Sequence, residues 1–181
     1  MPRIQLPEAE VHVWEGRLDR PDQEVRLLRA LLSADEQDRA DRFRFDRDRA
    51  RYIVGRGELR RLLGGYEGVA PEALRFEYGA FEKPSLFGSD LHFNLAHSGA
   101  VVLFAVTREA ELGIDVEVED RRLVSERVAE RFFSPGEVAS LKALPRSERV
   151  RGFLRCWTRK EAFLKARGDG LQLALDTFDV T

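Results

Sequence analysis

The sequence predicts an α+β protein, because helical and strand-like patterns occupy separate stretches of the chain. Residues 33–63 and 147–166 have helical patterns, whereas four short runs between residues 74 and 119 are typical of β-strands. The length of 181 residues suffices for one domain of ordinary size or for two small halves packed together.

The first part of the chain is interpreted as one strand followed by one long helix. Residues 11–14 (VHVW) alternate as a strand does. Ser33 and Glu36 form the S-x-x-E pattern of a helix N-terminus, which predicts a helix that continues to Leu63. Residues 64–72 (GGYEGVAPE) then end that helix in a turn-rich link.

Four strands are predicted next, separated by short polar or glycine-containing turns. They are residues 74–79 (LRFEYG), 91–96 (LHFNLA), 100–107 (AVVLFAVT) and 112–119 (LGIDVEVE). Residues 100–107 are apolar on both faces, which predicts a strand that is covered on both sides and lies at the centre of the sheet.

The remaining part of the chain is predicted to contain two helices and an open terminal strand. Residues 134–137 (SPGE) repeat the helix-start pattern with proline at the first helical position, and that helix should end near Pro145. A longer helix follows over 147–166 and is closed by Gly168. Its buried stripe consists of Val150, Phe153, Leu154, Trp157 and Leu164. Residues 171–180 alternate weakly, as an unpaired strand would.

Composition excludes several classes of protein. With Cys156 as the only cysteine and three histidines in the chain, an internal disulfide framework and a Cys/His zinc cluster are both disfavoured. No apolar run approaches the roughly 20 residues of a membrane span, and residues 1–10 lack a signal-peptide core. We therefore expect a cytoplasmic protein without membrane contact. A net charge of −2 means that any site for a polyanion must be local.

Three carboxylates form the first candidate site. Asp115 and Glu117 project from one side of the 112–119 strand, which on its own is an ordinary solvated face. Glu161, however, lies in the middle of the apolar stripe of the 147–166 helix, where a buried unpaired carboxylate is costly. An intrahelical pair with Lys165 is the alternative, worth about 0.2–0.5 kcal/mol when exposed. Three carboxylates with no nitrogen or thiolate ligand nearby suit Mg²⁺. Because Mg²⁺ usually completes its coordination with water and phosphate oxygens, such a site indicates a phosphorylated ligand, preferably a diphosphate.

Basic residues near these acids are candidates for binding phosphate. Two of them, Lys160 and Lys165, lie next to Glu161 on the same helix. A third, His97, lies in the turn NLAHSG, although a histidine in a turn more often makes a local hydrogen bond. Residues 39–61 contain nine arginines and four acids, which is typical of a solvated helix face from which a few side chains can hold a phosphate. Nucleic-acid binding is the alternative for this stretch, and the interleaved acids and the lack of an aromatic stacking pattern disfavour it.

Four motifs together resemble the phosphopantetheinyl transferases of the two-half, monomeric type that activates surfactin synthetase. The motifs are FNLAHSG (93–99), GIDVE (113–117), RFFSPGE (131–137) and WTRKEAFLKARGDGL (157–171). The resemblance implies two pseudo-symmetric α/β halves packed side by side, one of residues 1–113 and the other of residues 114–181, with the ligand in the cleft between them. It also implies that the second half is C-terminally incomplete.

The resemblance assigns a role to each candidate residue. Asp115, Glu117 and Glu161 would bind Mg²⁺, with Mn²⁺ as a possible substitute. The predicted ligands of coenzyme A are Arg39, Arg51, Lys83, His97, Ser98, Lys160 and Lys165. The predicted catalytic residues are Glu161, Lys165 and His97.

The implied reaction moves the 4′-phosphopantetheine arm from coenzyme A to a serine of an apo acyl- or peptidyl-carrier protein and releases adenosine 3′,5′-bisphosphate. Either Glu161 or a metal-bound water near Glu117 is the base for the serine hydroxyl. The expected enzyme is a monomer with no nucleic-acid partner. The alternative is a coenzyme A-binding module without turnover.

Three residues depart from the pattern of this family. Glu82 replaces the glycine of the usual G-K-P motif, and Ala96 replaces the first serine of S-H-S. Glu36 stands where relatives carry a lysine. The expected consequence is a lower affinity for coenzyme A.

Overall fold

The computed structural model describes residues 3–79, 83–120, 126–168 and 173–181. Its helices and strands are β1 (His12–Arg17), α1 (Asp22–Arg29), α2 (Ala34–Asp41), α3 (Asp46–Glu67), β2 (Phe76–Tyr78), β3 (Pro84–Leu86), β4 (His92–Ser98), β5 (Val101–Thr107), α4 (Glu126–Phe132), α5 (Pro135–Ala143) and α6 (Arg149–Arg167). Short 3₁₀ turns cover Pro71–Ala73 and Leu175–Thr177. Helices combined with small antiparallel sheets confirm the α+β prediction.

The main sheet has three antiparallel strands in the order β1-β5-β4. Trp14 of β1 lies opposite Phe104 of β5, and Leu95 of β4 lies opposite the same phenylalanine on the other side. Successive residues of β5 are buried from Phe104 to Thr107, so both of its faces are covered. The prediction that residues 100–107 form the central strand is therefore confirmed. A second sheet consists of β2 and β3 alone.

Helix α3 is the main partner of this sheet in the first half of the chain. Leu59, Leu63 and Val106 are fully buried in one core cluster. Helix α1 crosses α3 very closely at Gly57, where an added Cβ would lie 2.8 Å from the Cβ of Leu28. A side chain at this position would therefore push the two helices apart.

The single helix predicted over 33–63 is wrong, because the chain forms α2 and α3 with a break at residues 42–45. The predicted start is confirmed, since Ser33 and Glu36 form a capping box. Across the break, Glu36 of α2 pairs with Arg56 and Arg60 of α3, and these pairs hold the two helices together. Phe45, with extended backbone angles, is the N-cap residue that precedes α3.

The second half contains α4, α5 and α6 around a smaller core of Ala129, Phe133, Phe153 and Cys156. The predicted cap of α5 is confirmed, since the Ser134 hydroxyl accepts a hydrogen bond of 3.2 Å from the Glu137 backbone N–H. Helix α6 ends at Gly168, whose φ of +70° closes the helix in the left-handed region as predicted. None of the described helices is long and apolar enough to cross a membrane.

Two predicted strands are absent from the described residues. Residues 112–119 form no regular secondary structure, and residues 173–181 contain a 3₁₀ turn instead of a strand. In the terminal segment the carbonyls of Leu175 and Phe178 accept hydrogen bonds from Lys160, which takes the place of a strand partner. The sequence analysis also missed three short elements: α1, β3 and α4.

Candidate active site

The acidic segment, residues 113–118, lies between β4 and α6. The Ile114 backbone N–H donates to Asn94 Oδ1 at 2.9 Å, and the Val118 backbone N–H donates to Ser98 Oγ at 3.1 Å. On the other side, a Cβ at Gly113 would overlap backbone atoms of α6 at Ala162 and Ala166. Glycine is therefore required for the segment to pass this close to the helix.

Glu161 of α6 faces the carboxylates of this segment. Burial raises the pKa of Glu161, and the negative charges of Asp115 and Glu117 raise it further, while the Lys165 ammonium lowers it in part. Lys165 Nζ donates to Asp115 Oδ1 at 2.6 Å. The other oxygen, Asp115 Oδ2, is buried and has no hydrogen-bond partner among the described residues. The site therefore concentrates negative charge that its own residues only partly neutralise.

As placed, no group of three histidine, cysteine, aspartate or glutamate side chains in the described ranges is arranged to hold a metal ion. Lys165 occupies one oxygen of Asp115, and the Ser98 hydroxyl donates to Glu117 Oε2 at 2.7 Å. The chemistry of the donors nevertheless fits a hard cation, because one buried carboxylate oxygen lacks a partner and Glu161 is repelled by its neighbours. Metal binding by Asp115, Glu117 and Glu161 stays a prediction.

A cavity of about 490 Å³ lies on the other side of β4. Its lining includes Arg39, Arg51 and His97, so three of the predicted coenzyme A ligands lie together. Arg51 donates two hydrogen bonds to Asp19, of 2.7 and 3.0 Å. The cavity and the acid cluster meet at the end of β4, because His97 lines the cavity and the next residue, Ser98, holds Glu117.

Glu36 lies behind one wall of this cavity and accepts hydrogen bonds from Arg56 and Arg60. Burial alone would raise the pKa of Glu36, but the two guanidinium groups hold the pKa below its usual value. Arg56 also donates to the Tyr78 hydroxyl at 2.6 Å and lies 3.9 Å from the ring centroid of Phe76. Glu36 therefore has a structural role, and the expected effect of this residue on coenzyme A affinity stays a prediction.

The structure does not bring Lys160 to the cavity, contrary to its predicted role as a coenzyme A ligand. Its side chain is fully buried, and Nζ pairs with Glu137 Oε2 at 2.7 Å and donates to the carbonyls of Leu175 and Phe178. All three N–H groups of the ammonium are therefore used inside the second half.

Lys83 also lies outside the lining of the cavity. Its Nζ donates to Glu111 Oε2 at 2.6 Å and to the carbonyls of Leu112 and Ala166 at 3.3 and 3.0 Å. Lys83 thus connects the first half to the C-terminal end of α6. A contact between Lys83 and a phosphate would require it to give up one of these partners.

The chain matches known proteins along most of its length. Residues 19–109 match the sequence profile described as "4′-phosphopantetheinyl transferase, N-terminal", and residues 111–181 match that of the "4′-phosphopantetheinyl transferase superfamily". The 4′-phosphopantetheinyl transferase HetI of Nostoc sp. is 44% identical over 174 residues, which cover 94% of this chain and 73% of HetI. The chain belongs to the 4′-phosphopantetheinyl transferase superfamily.

Two relatives from Bacillus support the same conclusion. The 4′-phosphopantetheinyl transferase Sfp of Bacillus subtilis is 31% identical over 166 residues, covering 90% of this chain and 73% of Sfp. The 4′-phosphopantetheinyl transferase psf-1 of Bacillus pumilus is 33% identical over 156 residues, covering 86% of this chain and 66% of that relative. Membership confirms the resemblance found in the motifs and makes the chain a transferase. The two profiles agree with a fold in two parts, while the boundary at residues 113 and 114 stays a prediction.

The other two residues predicted to depart from the pattern of the phosphopantetheinyl transferases are Ala96 and Glu82. Ala96 is buried and packs inside the sheet, so it does not reach the cavity, and Glu82 lies outside the described residues. The sequence analysis assigned no role to three contributors to the site: Asn94 and Gly113, which lie within the quoted motifs, and Arg56. A polar residue inside the apolar run 91–96 was the signal for Asn94, and no local pattern distinguishes Arg56 from its neighbouring arginines.

Proposed function

We propose that this chain transfers 4′-phosphopantetheine from coenzyme A to a serine hydroxyl of an apo acyl- or peptidyl-carrier protein and releases adenosine 3′,5′-bisphosphate. The observation that carries the proposal is the half-buried acid cluster around Glu161, which meets a cavity lined with arginine at the end of β4. An anionic cofactor that spans both regions would place its phosphates between these groups.

The cavity supplies the cations for the nucleotide end of coenzyme A in this proposal. Arg39 and Arg51 would hold the ribose 3′-phosphate, and His97 would contact a phosphate from the end of β4. Guanidinium groups suit this task because their N–H groups match the spacing of phosphate oxygens. Arg51 would exchange Asp19 for the phosphate, and the carboxylate it leaves is exposed to solvent.

Asp115, Glu117 and Glu161 would hold the Mg²⁺ ion that the reaction is expected to need. When bound there, the ion supplies charge neutralisation for the diphosphate. The three carboxylates would fix the position of the ion, and the repulsion between their negative charges favours the binding of a cation. Asp115 Oδ2, which is buried and has no hydrogen-bond partner among the described residues, would be free to contact such a cation.

The serine oxygen attacks the phosphorus of the pantetheine phosphate, and the bond from that phosphorus to the bridging oxygen breaks. Either Glu161 or a water held by the metal ion near Glu117 would accept the serine proton. Lys165 lies one helical turn from Glu161 and would stabilise the charge on the departing phosphate.

The test is a carrier-modification assay. An apo carrier is incubated with the chain, coenzyme A and Mg²⁺, and its mass is then measured by mass spectrometry. We expect modification by the wild-type chain and none by Asp115→Ala or Glu161→Ala. Glu119→Gln is the matched control, because Glu119 lies on the same stretch but is exposed and pairs with Arg151 at 3.1 Å. Full modification by both alanine variants would contradict the proposal.

A coenzyme A-binding module without turnover is the second candidate. The arrangement of the carboxylates favours it, because they are not placed as a ligand set for a metal ion. In that case calorimetry would detect coenzyme A binding in the cavity while the carrier stays unmodified at every Mg²⁺ concentration. Modified carrier would exclude this candidate.

A further inference from the structure

Two polar side chains of β4 hold the acidic segment by its backbone. Asn94 and Ser98 are four positions apart in the sequence, and so are their partners, Ile114 and Val118. The segment therefore runs parallel to β4 with the same residue spacing. Its backbone N–H groups donate to side chains of β4, whereas a regular strand would donate to backbone carbonyls.

Ser98 makes a second contact that involves a predicted metal ligand. Its hydroxyl accepts from the Val118 N–H and donates to Glu117 Oε2 at 2.7 Å. A serine hydroxyl has one proton to donate, so Ser98 cannot donate to Glu117 and to a phosphate at the same time. The contact therefore competes with the direct coenzyme A contact that the sequence analysis predicted for Ser98.

We propose that Ser98 and Asn94 are positioning residues that set the register of the acidic segment on β4 and hold Glu117 in place. This inference rests on the proposed function, because it concerns the carboxylates that would bind the metal ion. The role follows from the period of an extended chain, in which a slip of one residue turns every side chain to the opposite face. Asp115 and Glu117 would then point away from Glu161.

The interaction of Gly113 with α6 supports this role from the other side of the segment. Because the backbone of Gly113 lies against Ala162, the segment cannot shift toward α6 without a clash. The two hydrogen bonds to β4 prevent a shift along the strand. Removing the Ser98 hydroxyl would release both Glu117 and the Val118 end of the segment, while the Asn94 end stays fixed.

The experiment compares Ser98→Ala and Ser98→Thr in the full chain. Direct binding of Mn²⁺ is measured by electron paramagnetic resonance, and the Mg²⁺ concentration for half-maximal carrier modification is measured separately. We expect both to weaken about tenfold in Ser98→Ala, as is typical when a residue that orients a metal ligand is lost. The KM for coenzyme A at saturating Mg²⁺ should stay unchanged, and Ser98→Thr should restore metal binding.

Thr107→Ala is the matched control, because the Thr107 hydroxyl is buried in the same sheet and binds the Glu10 carbonyl at 2.9 Å, away from the acids. Hydrogen exchange provides a readout that needs no metal. The Val118 amide should exchange faster in Ser98→Ala, and the Ile114 amide should exchange faster in Asn94→Leu.

A higher KM for coenzyme A in Ser98→Ala, with normal Mn²⁺ binding, would overturn the inference in favour of a direct coenzyme A contact. Unchanged metal response together with unchanged Val118 exchange would also overturn it. A wild-type chain that never modifies a carrier contradicts the proposed function instead, and Mn²⁺ binding and amide exchange still decide the role of Ser98.

Discussion

Glu161 occupies a position on α6 where the helical pattern requires an apolar residue. Its surroundings disfavour the charged form, since burial and the negative charges of Asp115 and Glu117 outweigh the attraction of Lys165 and raise the pKa. A raised carboxyl pKa means that the folded protein binds the proton more tightly than the unfolded chain does. Ionisation of Glu161 at neutral pH therefore lowers the free energy of unfolding.

In the absence of Mg²⁺, Glu161→Gln should therefore stabilise the protein, and it should abolish transfer. The amide keeps the shape of the side chain and removes its charge, and relief of about 1 kcal/mol would raise Tm by about 2–4 °C for a chain of this size. Thermal unfolding by circular dichroism, run beside the carrier-modification assay, measures both effects. Glu119→Gln should change neither, and a Tm of Glu161→Gln below that of the wild-type chain would contradict this account.

Single residues could be predicted from the sequence where their own helix or strand reveals them. The position of Glu161 near other carboxylates was predictable because an acid interrupts an apolar stripe, while its roles in metal binding and catalysis stay predictions. The burial of Lys160 could not be predicted, because it depends on Glu137 and on a terminal segment that contacts its ammonium, and neither contact is visible in the helical pattern of α6. The partners of Lys83 likewise come from two distant parts of the chain, and its role as a coenzyme A ligand stays a prediction.

At the scale of secondary structure, the contact between the acidic segment and α6 depends on one glycine. The Gly113 backbone lies so close to Ala162 and Ala166 that there is no space for a methyl group, and the opposing atoms belong to the helix backbone, which cannot rotate away. Any side chain at this position must move the segment and the helix apart. The distance between Glu161 and the carboxylates of the segment would then increase.

Gly113→Ala should accordingly lose most transfer activity and about 1–3 kcal/mol of stability, the usual cost of overpacking. Urea unfolding measures the stability, and the carrier assay measures the activity. Gly79→Ala is the control for stability, because the nearest atom to its new Cβ would be the Lys83 carbonyl oxygen at 3.9 Å. Equal stability of Gly113→Ala and the wild-type chain would show that the close contact does not persist in solution.

Elements with strong local signals were predicted correctly, and those that depend on distant partners were not. The capping box of α5, the αL glycine that ends α6 and the apolar β5 are all encoded within a few residues. Residues 112–119 alternate as a strand does, yet they form no ladder because Asn94 and Ser98 accept their N–H groups. No alternation pattern distinguishes a backbone partner from a side-chain partner.

At the scale of the whole molecule, the described residues include two buried glutamates held by buried cations, one in each part of the chain. Glu36 pairs with Arg56 and Arg60 in the first half, and Glu137 pairs with Lys160 in the second. Burial alone would raise the pKa of Glu137, but hydrogen bonds from Lys160 and from the backbone at Ser134 and Val180 hold the pKa below its usual value. Both halves therefore depend on an ionised glutamate.

Both pKa values are lowered in the folded state, so the stability that the two carboxylates supply is present above pH 4.5, the ordinary value for glutamate, and is lost as the pH falls through the folded values. We expect the free energy of unfolding in urea to fall steeply below about pH 4.5. The free energy of unfolding of Glu137→Gln at pH 7 should be about 3–5 kcal/mol lower than that of the wild-type chain, because Lys160 is left without its counterion. Between pH 7 and acid pH, however, the stability of this variant should fall less than that of the wild-type chain.

The exposed Glu77→Gln variant should follow the wild-type curve. An equally steep acid dependence in Glu137→Gln and the wild-type chain would contradict the assignment of Glu137. Measured over the same pH range, the two variants separate the effect of the buried pair from the general protonation of surface carboxylates.

The shared carboxylate of Glu36 also affects the electrostatic potential around the cavity. Two guanidinium groups are balanced by one carboxylate, and arginine does not lose its proton in proteins, so a surplus positive charge persists behind the wall that Arg56 forms. Such a field accelerates the diffusional encounter with anions before any contact is made. The association rate constant of an anionic ligand should consequently decline as ionic strength rises, with the dissociation rate much less affected.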